Sequence, residues 1–205
     1  RGGVSKGLMS VVPSPAATLG VISDIDDTVL ETGAYFLPRN LWVSATTFIS
    51  DRKVFKDTVA LLRQLQGDTN PVFYVSSSPW NLHAYLRSIF RAHDVPVGPL
   101  FLRDLGISRS KFIKSSHGSH KGDAIDAILA ANPQLDFVLI GDSGQHDASV
   151  YLAAVERHPG RIRQIVLRTA GEIDIADRQA ADAIRRTGVD LFTGPDLTPL
   201  LPSVG

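Results

Sequence analysis

The chain has 205 residues, of which 43% are hydrophobic, and its 21 basic side chains balance 21 acidic ones. This length allows one domain with a full core, and the balanced charge argues against nucleic-acid binding by bulk electrostatics. Without cysteine there are no disulfides and no thiol catalysis, and no apolar stretch reaches the roughly 20 residues of a transmembrane segment. We expect a single domain over residues 1–205 with an irregular lead-in at 1–17. Because the sequence begins at Arg1 and not at methionine, we also expect a fragment or processed form of a longer protein.

Taken in chain order, the pattern predicts strands that alternate with helices. The predicted strands are 18–25, 72–75, 100–102, 137–140, 162–167 and 189–192. The predicted helices are 37–49, 54–66, 80–93, 121–131, 147–158 and 175–187. Strands that are apolar on both faces and separated by helices indicate an α/β fold, with a doubly wound, Rossmann-like parallel sheet.

Polar side chains follow three of these strands. Asp24 and Asp26 end the first strand, Ser76–Ser78 follow the second, and Asp142 follows the fourth. Ligands of such sheets bind beyond the carboxyl ends of the strands, so these groups are expected to converge there. Alternation along an extended strand would place Asp24 and Asp26 on one side, where two carboxylates attract a divalent cation. The plainer interpretation is an acidic turn, with Asp27 and Thr28 capping a helix.

Four motifs give this pattern a family resemblance. Asp24-Ile25-Asp26-Asp27-Thr28, Ser76, Lys121 and Gly141-Asp142 with Asp147 resemble, in order, the motifs of the haloacid dehalogenase superfamily. More narrowly, the segments 23–28, 74–80, 98–104 and 141–147 resemble the actin-patch-type phosphatidate phosphatases. The chain has Ser77 where that family has Asn, but the main phosphate contact at this position comes from a backbone amide.

The resemblance implies a Mg²⁺-dependent phosphomonoesterase that forms an aspartyl-phosphate and hydrolyses phosphatidate to diacylglycerol and phosphate. Asp24 is then the nucleophile, and Asp26 protonates the leaving oxygen and later deprotonates water. Thr28, Ser76 and the amides near Ser77 bind the phosphate oxygens.

The same resemblance assigns the charged groups around the phosphate. Lys121 supplies a positive charge against the phosphate and the nucleophile. Asp24, the Asp26 carbonyl and Asp142 form an oxygen-only site that suits Mg²⁺, and Asp147 completes the metal site or holds Lys121.

Several of these residues have simpler interpretations. Thr28 can be a turn hydroxyl, Ser76–Ser78 a helix cap, and Asp147 a cap or a partner of the helix dipole at the start of its helix. Lys111 and Lys114 compete with Lys121, although a lysine at a helix start opposes the helix dipole and therefore indicates a functional role. The histidines 117, 120 and 146 lack paired spacing and are expected at the surface.

The segments between the motifs are too short for a large cap. An open site suits a bulky phosphate-bearing substrate, such as a lipid at a membrane surface. Phe36 and Trp42 are candidates for contact with that surface, with Arg39 meeting anionic lipid, while the rest of their helix is expected in the core. A cytoplasmic or peripheral-membrane setting is favoured. The alternatives are a phosphatase for a phosphoprotein or nucleic-acid end, and a non-catalytic binding module.

Overall fold

The computed structural model describes residues 13–31, 53–103, 117–144, 146–169 and 174–202, and within them the chain forms a six-stranded parallel sheet. The strands are β1 (Leu19–Ser23), β2 (Val72–Pro79), β3 (Leu100–Arg103), β4 (Asp136–Asp142), β5 (Ile162–Arg168) and β6 (Asp190–Gly194). The helices are α1 (Lys56–Gln66), α2 (His83–Ala92), α3 (His117–Ala131), α4 (Asp147–Arg157) and α5 (Ile175–Thr187). Short 3₁₀ turns cover Trp80–Leu82 and Thr198–Leu200.

Both faces of the sheet are buried. Alternate residues of a strand point to opposite faces, so Val21 belongs to the apolar layer that includes α1 and α2, whereas Ile22 belongs to the layer that includes α3, α4 and α5. Neither side chain has any exposed surface. Two apolar layers explain why the central strands read as continuous hydrophobic runs, and they confirm the predicted doubly wound α/β fold.

The strand order β3-β2-β1-β4-β5-β6 places the reversal of the winding between β1 and β4. These two strands are distant in sequence but adjacent in the sheet, with Ser23 in register with Ile140. The crevice at the carboxyl ends of such a pair is the usual binding position in open α/β sheets. The acidic residues 24 and 142 follow or end these two strands.

Three predicted boundaries are wrong in ways that affect the site. Strand β1 ends at Ser23, so a turn and not strand alternation places Asp26. Strand β2 runs on to Pro79, and neither the 3₁₀ turn nor α2 has a side-chain cap, which excludes the helix-cap interpretation of Ser76–Ser78. Helix α3 begins at His117, so Lys121 is not at a helix start and the dipole argument fails.

Some predictions lie outside the described residues. The helix predicted at 37–49 is one of them, together with its candidate membrane contacts Phe36, Arg39 and Trp42. The others are Lys111 and Lys114, the alternatives to Lys121, and the segments between the motifs in which a cap domain would lie. Among the described helices, none has the length and apolar character that crossing a bilayer requires.

Candidate active site

Asp24 lies directly after β1, where the sheet fixes its backbone. Its N–H donates to the Ile140 carbonyl of β4 at 2.8 Å, which continues the ladder for one residue. The side chain is 2% exposed. One carboxylate oxygen, Oδ1, lies 2.8 Å from the Lys121 ammonium, and Oδ2 accepts a long hydrogen bond of 3.4 Å from the Thr28 hydroxyl. The fold therefore presents a buried carboxylate, paired with a cation, at the predicted nucleophile position.

Lys121 bridges two carboxylates. Its ammonium lies 2.8 Å from Asp24 and 2.5 Å from Asp147, and its side chain is 6% exposed. Burial alone lowers the pKa of an ammonium, but the charges of Asp147 and Asp24 outweigh it and raise the pKa of Lys121. Lys121 is thus held charged, 97 residues downstream of Asp24 in the sequence but in direct contact with it.

Asp147 begins α4 but does not cap it. Its Oδ1 pairs with Lys121, and its Oδ2 accepts a hydrogen bond from the Asp142 N–H at 3.2 Å. Gly141 makes this approach possible, because a Cβ there would lie 2.5 Å from Asp147 Oδ2 and 2.6 Å from the Tyr151 hydroxyl. The cap interpretation of Asp147 is therefore wrong, and its carboxylate belongs to the acidic cluster.

Asp142 is the third carboxylate of this cluster and is 1% exposed. Its Oδ2 accepts the Gly144 N–H at 3.1 Å, while its Oδ1 has no hydrogen-bond partner. Burial first, and then the Asp147 carboxylate, raise the pKa of Asp142 to about 8, against the Lys121 charge. Burial likewise raises the pKa of Asp24, although Lys121 lowers it. Three buried carboxylates face one ammonium, so the metal-free cluster favours a bound proton, which a cation could replace.

This cluster fits a hard divalent cation. Carboxylate oxygens of Asp24, Asp142 and Asp147 lie within 4.8 Å of one another. The donor set is oxygen only, and the orphaned Oδ1 of Asp142 is the kind of buried acceptor that a cation satisfies. The predicted Asp26 carbonyl ligand stays a prediction.

The Asp26 carboxylate is held by two serines of β2. Its Oδ2 accepts hydrogen bonds from the Ser76 hydroxyl at 2.8 Å and from the Ser78 hydroxyl at 2.7 Å. Ser78 also donates its backbone N–H to Ser76 Oγ at 2.9 Å. Sequence analysis placed Ser78 in the polar cluster but gave it no role of its own, although the period of two along β2 places it on the same side as Ser76. Ser77, between them, is half-buried.

The remaining candidates are Thr28 and the histidines. Thr28 is fully buried and contacts Asp24, so it is more than a turn hydroxyl. His146 is exposed as predicted, whereas His120 is half-buried and its Nε2 has no partner. The side chain of His117 lies outside the described residues.

Comparisons with known proteins identify the family of the chain. The family described as phosphatidate phosphatase APP1, catalytic domain, matches residues 19–169. The chain is 34% identical to phosphatidate phosphatase APP1 of Saccharomyces cerevisiae over 153 residues, which is 73% of this chain and 26% of the yeast protein. It is 29% identical over 169 residues to an uncharacterized protein of Schizosaccharomyces pombe, covering 80% of this chain and 27% of that protein. The chain thus spans about a quarter of the length of these curated relatives.

Among solved structures, a chain in the structure of a Pnkp1/Rnl/Hen1 complex matches with a TM-score of 0.51 at 12% identity. The match covers 84% of this chain and 53% of that one. At this identity the likeness supports the fold alone. The resemblance to the phosphatidate phosphatase family, drawn from the motifs, is confirmed by the family match and by the yeast relative.

Proposed function

The chain belongs to the phosphatidate phosphatase APP1 catalytic-domain family, and we propose that it is a Mg²⁺-dependent phosphomonoesterase that forms an aspartyl-phosphate on Asp24. Its proposed substrate is phosphatidate, which yields diacylglycerol and phosphate. The observation that carries this proposal is the buried Asp24–Lys121 pair beside Asp142 and Asp147, at the reversal point of the sheet.

In the first step, a carboxylate oxygen of Asp24 attacks the phosphorus, and the bond from phosphorus to the leaving oxygen breaks. Asp26 gives its proton to that oxygen, so the alcohol leaves neutral. Lys121 holds the orientation of Asp24 and offsets charge that builds up on the phosphoryl oxygens. The product of this step is the acyl phosphate on Asp24.

In the second step, water attacks the phosphorus of the acyl phosphate. Asp26, now ionised, accepts the proton of that water, and the Asp24 carboxylate is released with inorganic phosphate. Ser76 and Ser78 hold Asp26 near the site from the neighbouring strand, at 2.8 and 2.7 Å. Asp24, Asp142 and Asp147 would hold Mg²⁺, which supplies Lewis-acid stabilisation of the transferring phosphoryl group.

The exposed side chain of Trp80 is an argument for an amphipathic substrate. It follows β2 directly at the carboxyl end of the sheet and is 61% exposed, so it does not close the core. A large exposed indole beside a phosphate site suits a ligand with an apolar body or a bilayer interface. This supports phosphatidate over a small polar phosphate ester.

The test is phosphate release from phosphatidate in mixed micelles, with and without Mg²⁺, beside a soluble aryl phosphate. We expect Mg²⁺-dependent release that favours the lipid and is lost in Asp24→Asn, while the exposed Asp68→Asn stays active. Circular dichroism checks that Asp24→Asn is folded. Turnover of only the aryl ester, or of a phosphopeptide, would overturn the lipid assignment, and substantial activity in Asp24→Asn would overturn the mechanism.

A further inference from the structure

A second group of metal-binding side chains lies at the amino-terminal ends of α4 and α5. It consists of His146, which precedes α4, Asp174, which precedes α5, and Asp177 in the first turn of α5. His146 Nδ1 lies 3.8 Å from Asp174 Oδ2 and 3.7 Å from Asp177 Oδ2. One ligand atom from each residue lies within 4.8 Å of the other two.

Helix capping accounts for only part of this arrangement. Asp174 is the N-cap of α5, and its Oδ1 accepts the Asp177 N–H at 2.7 Å. Its Oδ2, which faces His146, is not used by the cap. A capping box would turn the third helical side chain back to the N–H of the cap residue, but Asp177 makes no such bond.

Asp177 is the feature that the helix leaves unexplained. It is 1% exposed, and both of its carboxylate oxygens lack a hydrogen bond to any group in the described part of the chain. The ring and the backbone N–H of His146 face it, yet neither gives it a hydrogen bond of ordinary geometry. The His146 imidazole, 3.7 Å away, is the ion-pair partner of Asp177, but it leaves both oxygens without a hydrogen bond. Burial of such a carboxylate is costly, and a cation bound between the two side chains would offset that cost.

We propose that His146, Asp174 and Asp177 form a binding site for a divalent transition metal of the Zn²⁺ class, separate from the acidic cluster of the active site. One imidazole and two carboxylates suit Zn²⁺ better than Mg²⁺, which prefers oxygen ligands. Donors around a tetrahedral Zn²⁺ lie about 3.4 Å apart. The two distances from His146, 3.8 and 3.7 Å, need a small contraction, and the oxygens of Asp174 and Asp177 start within 4.8 Å of each other. Side chains of His146 and Asp174 are 65% and 52% exposed, which gives the ion access and leaves room for water as the fourth ligand.

The position of this site ties it to the catalytic residues. His146 is followed directly by Asp147, and its backbone has a positive φ of 66°. A metal bound to His146 and to both acids of α5 would hold the start of α4 against α5. The bound ion would therefore stabilise the turn from which Asp147 reaches Lys121.

The test is calorimetric titration of the chain with Zn²⁺, in millimolar Mg²⁺ to occupy the acidic cluster. We expect one Zn²⁺ to bind, with at least tenfold weaker affinity in His146→Ala and in Asp177→Asn. His83→Ala, an exposed histidine on α2, is the matched control and should bind Zn²⁺ as the unaltered chain does. Unchanged Zn²⁺ affinity in His146→Ala, or loss of binding only in Asp142→Asn, would overturn the proposal.

Thermal unfolding separates a metal site from a helix cap. In EDTA, Asp177→Asn should melt at a higher temperature than the unaltered chain, because it removes a buried charge that lacks hydrogen bonds. With Zn²⁺ the unaltered chain should gain stability, and Asp177→Asn should gain much less. A lower melting temperature of Asp177→Asn in EDTA, together with an equal gain from Zn²⁺, would show a purely structural role. If Asp177→Asn does not fold, the exposed His146→Ala decides the question.

Discussion

Removal of one charge from the acidic cluster should stabilise the metal-free protein. In Asp142→Asn the side chain keeps its shape, and its carbonyl oxygen can still accept the Gly144 N–H that Asp142 Oδ2 accepts at 3.1 Å. What disappears is a carboxylate that is 1% exposed, with an unpartnered Oδ1 and with Asp147 close by. The substitution should therefore weaken metal binding and stabilise the metal-free fold.

The magnitude and sign follow from the raised pKa. The folded pKa of Asp142 is about 8, against about 3.9 in an unfolded chain. Between these values the folded state keeps a proton that the unfolded state has lost, so the free energy of unfolding falls as pH rises. At about 1.4 kcal/mol per pH unit, this difference of about four pH units means that Asp142 costs the metal-free fold at most ~6 kcal/mol at pH 8. Asp142→Asn should be more stable by up to this amount at pH 8 and nearly equal to the unaltered chain near pH 4.

The assay is urea unfolding in EDTA, followed by circular dichroism from pH 4 to pH 8. Adding Mg²⁺ at pH 8 should stabilise the unaltered chain and leave Asp142→Asn unchanged, because the variant lacks a ligand. Asp68→Asn, an acid in the exposed turn after α1, should follow the unaltered chain throughout. A variant that is less stable than the unaltered chain at pH 8 in EDTA would refute the reasoning.

Two further substitutions test the catalytic acid and the packing behind the site. Ser78→Ala removes the 2.7 Å hydrogen bond to Asp26, so turnover of phosphatidate should fall about tenfold. Turnover of an aryl phosphate should fall less, because its leaving oxygen needs little protonation. Steady-state kinetics on both esters measure this difference. Asp57→Asn removes the carboxylate that lies 2.5 Å from Arg168, and the Arg168 side chain is only 4% exposed. The free energy of unfolding should therefore fall by ~2–4 kcal/mol at pH 7. Burial raises the pKa of Asp57, but Arg168 and the Leu197 N–H outweigh burial and lower that pKa. The stability difference between Asp57→Asn and the unaltered chain should therefore vanish as the pH falls through the folded pKa. Urea unfolding at pH 7 and at pH 3, below the ordinary pKa of aspartate, should show a smaller difference at pH 3.

Each of these has a control and a contrary result. Ser77→Ala keeps the backbone amide and should retain activity, whereas an equal loss on both esters in Ser78→Ala would argue against positioning of a general acid. For Asp57→Asn, a deficit that stays constant from pH 7 to pH 3 would show that lost packing, and not the ion pair, is responsible.

The sequence alone determined the fold class and the order of the motifs. Apolar runs such as 72–75 and 137–140 are buried on both faces, and this local property is visible without any partner strand. The acids follow strands in the sequence, and parallel strands bring their carboxyl ends to one edge. Asp24 and Asp142 could therefore be predicted to meet before any contact was known, whereas Lys121 was assigned to the site only by the family resemblance.

Tertiary structure decided the contacts within that edge. Ser78 reaches Asp26 only because β2 runs on past Val75 and lies beside β1, and strand length and register depend on the neighbouring strands. The observed ends of the elements differ from the predicted ends for the same reason. For example, β1 ends where the turn at 24–30 begins to make its own hydrogen bonds. His146, Asp174 and Asp177 come together because α4 and α5 pack side by side, and no periodicity along the chain encodes that contact.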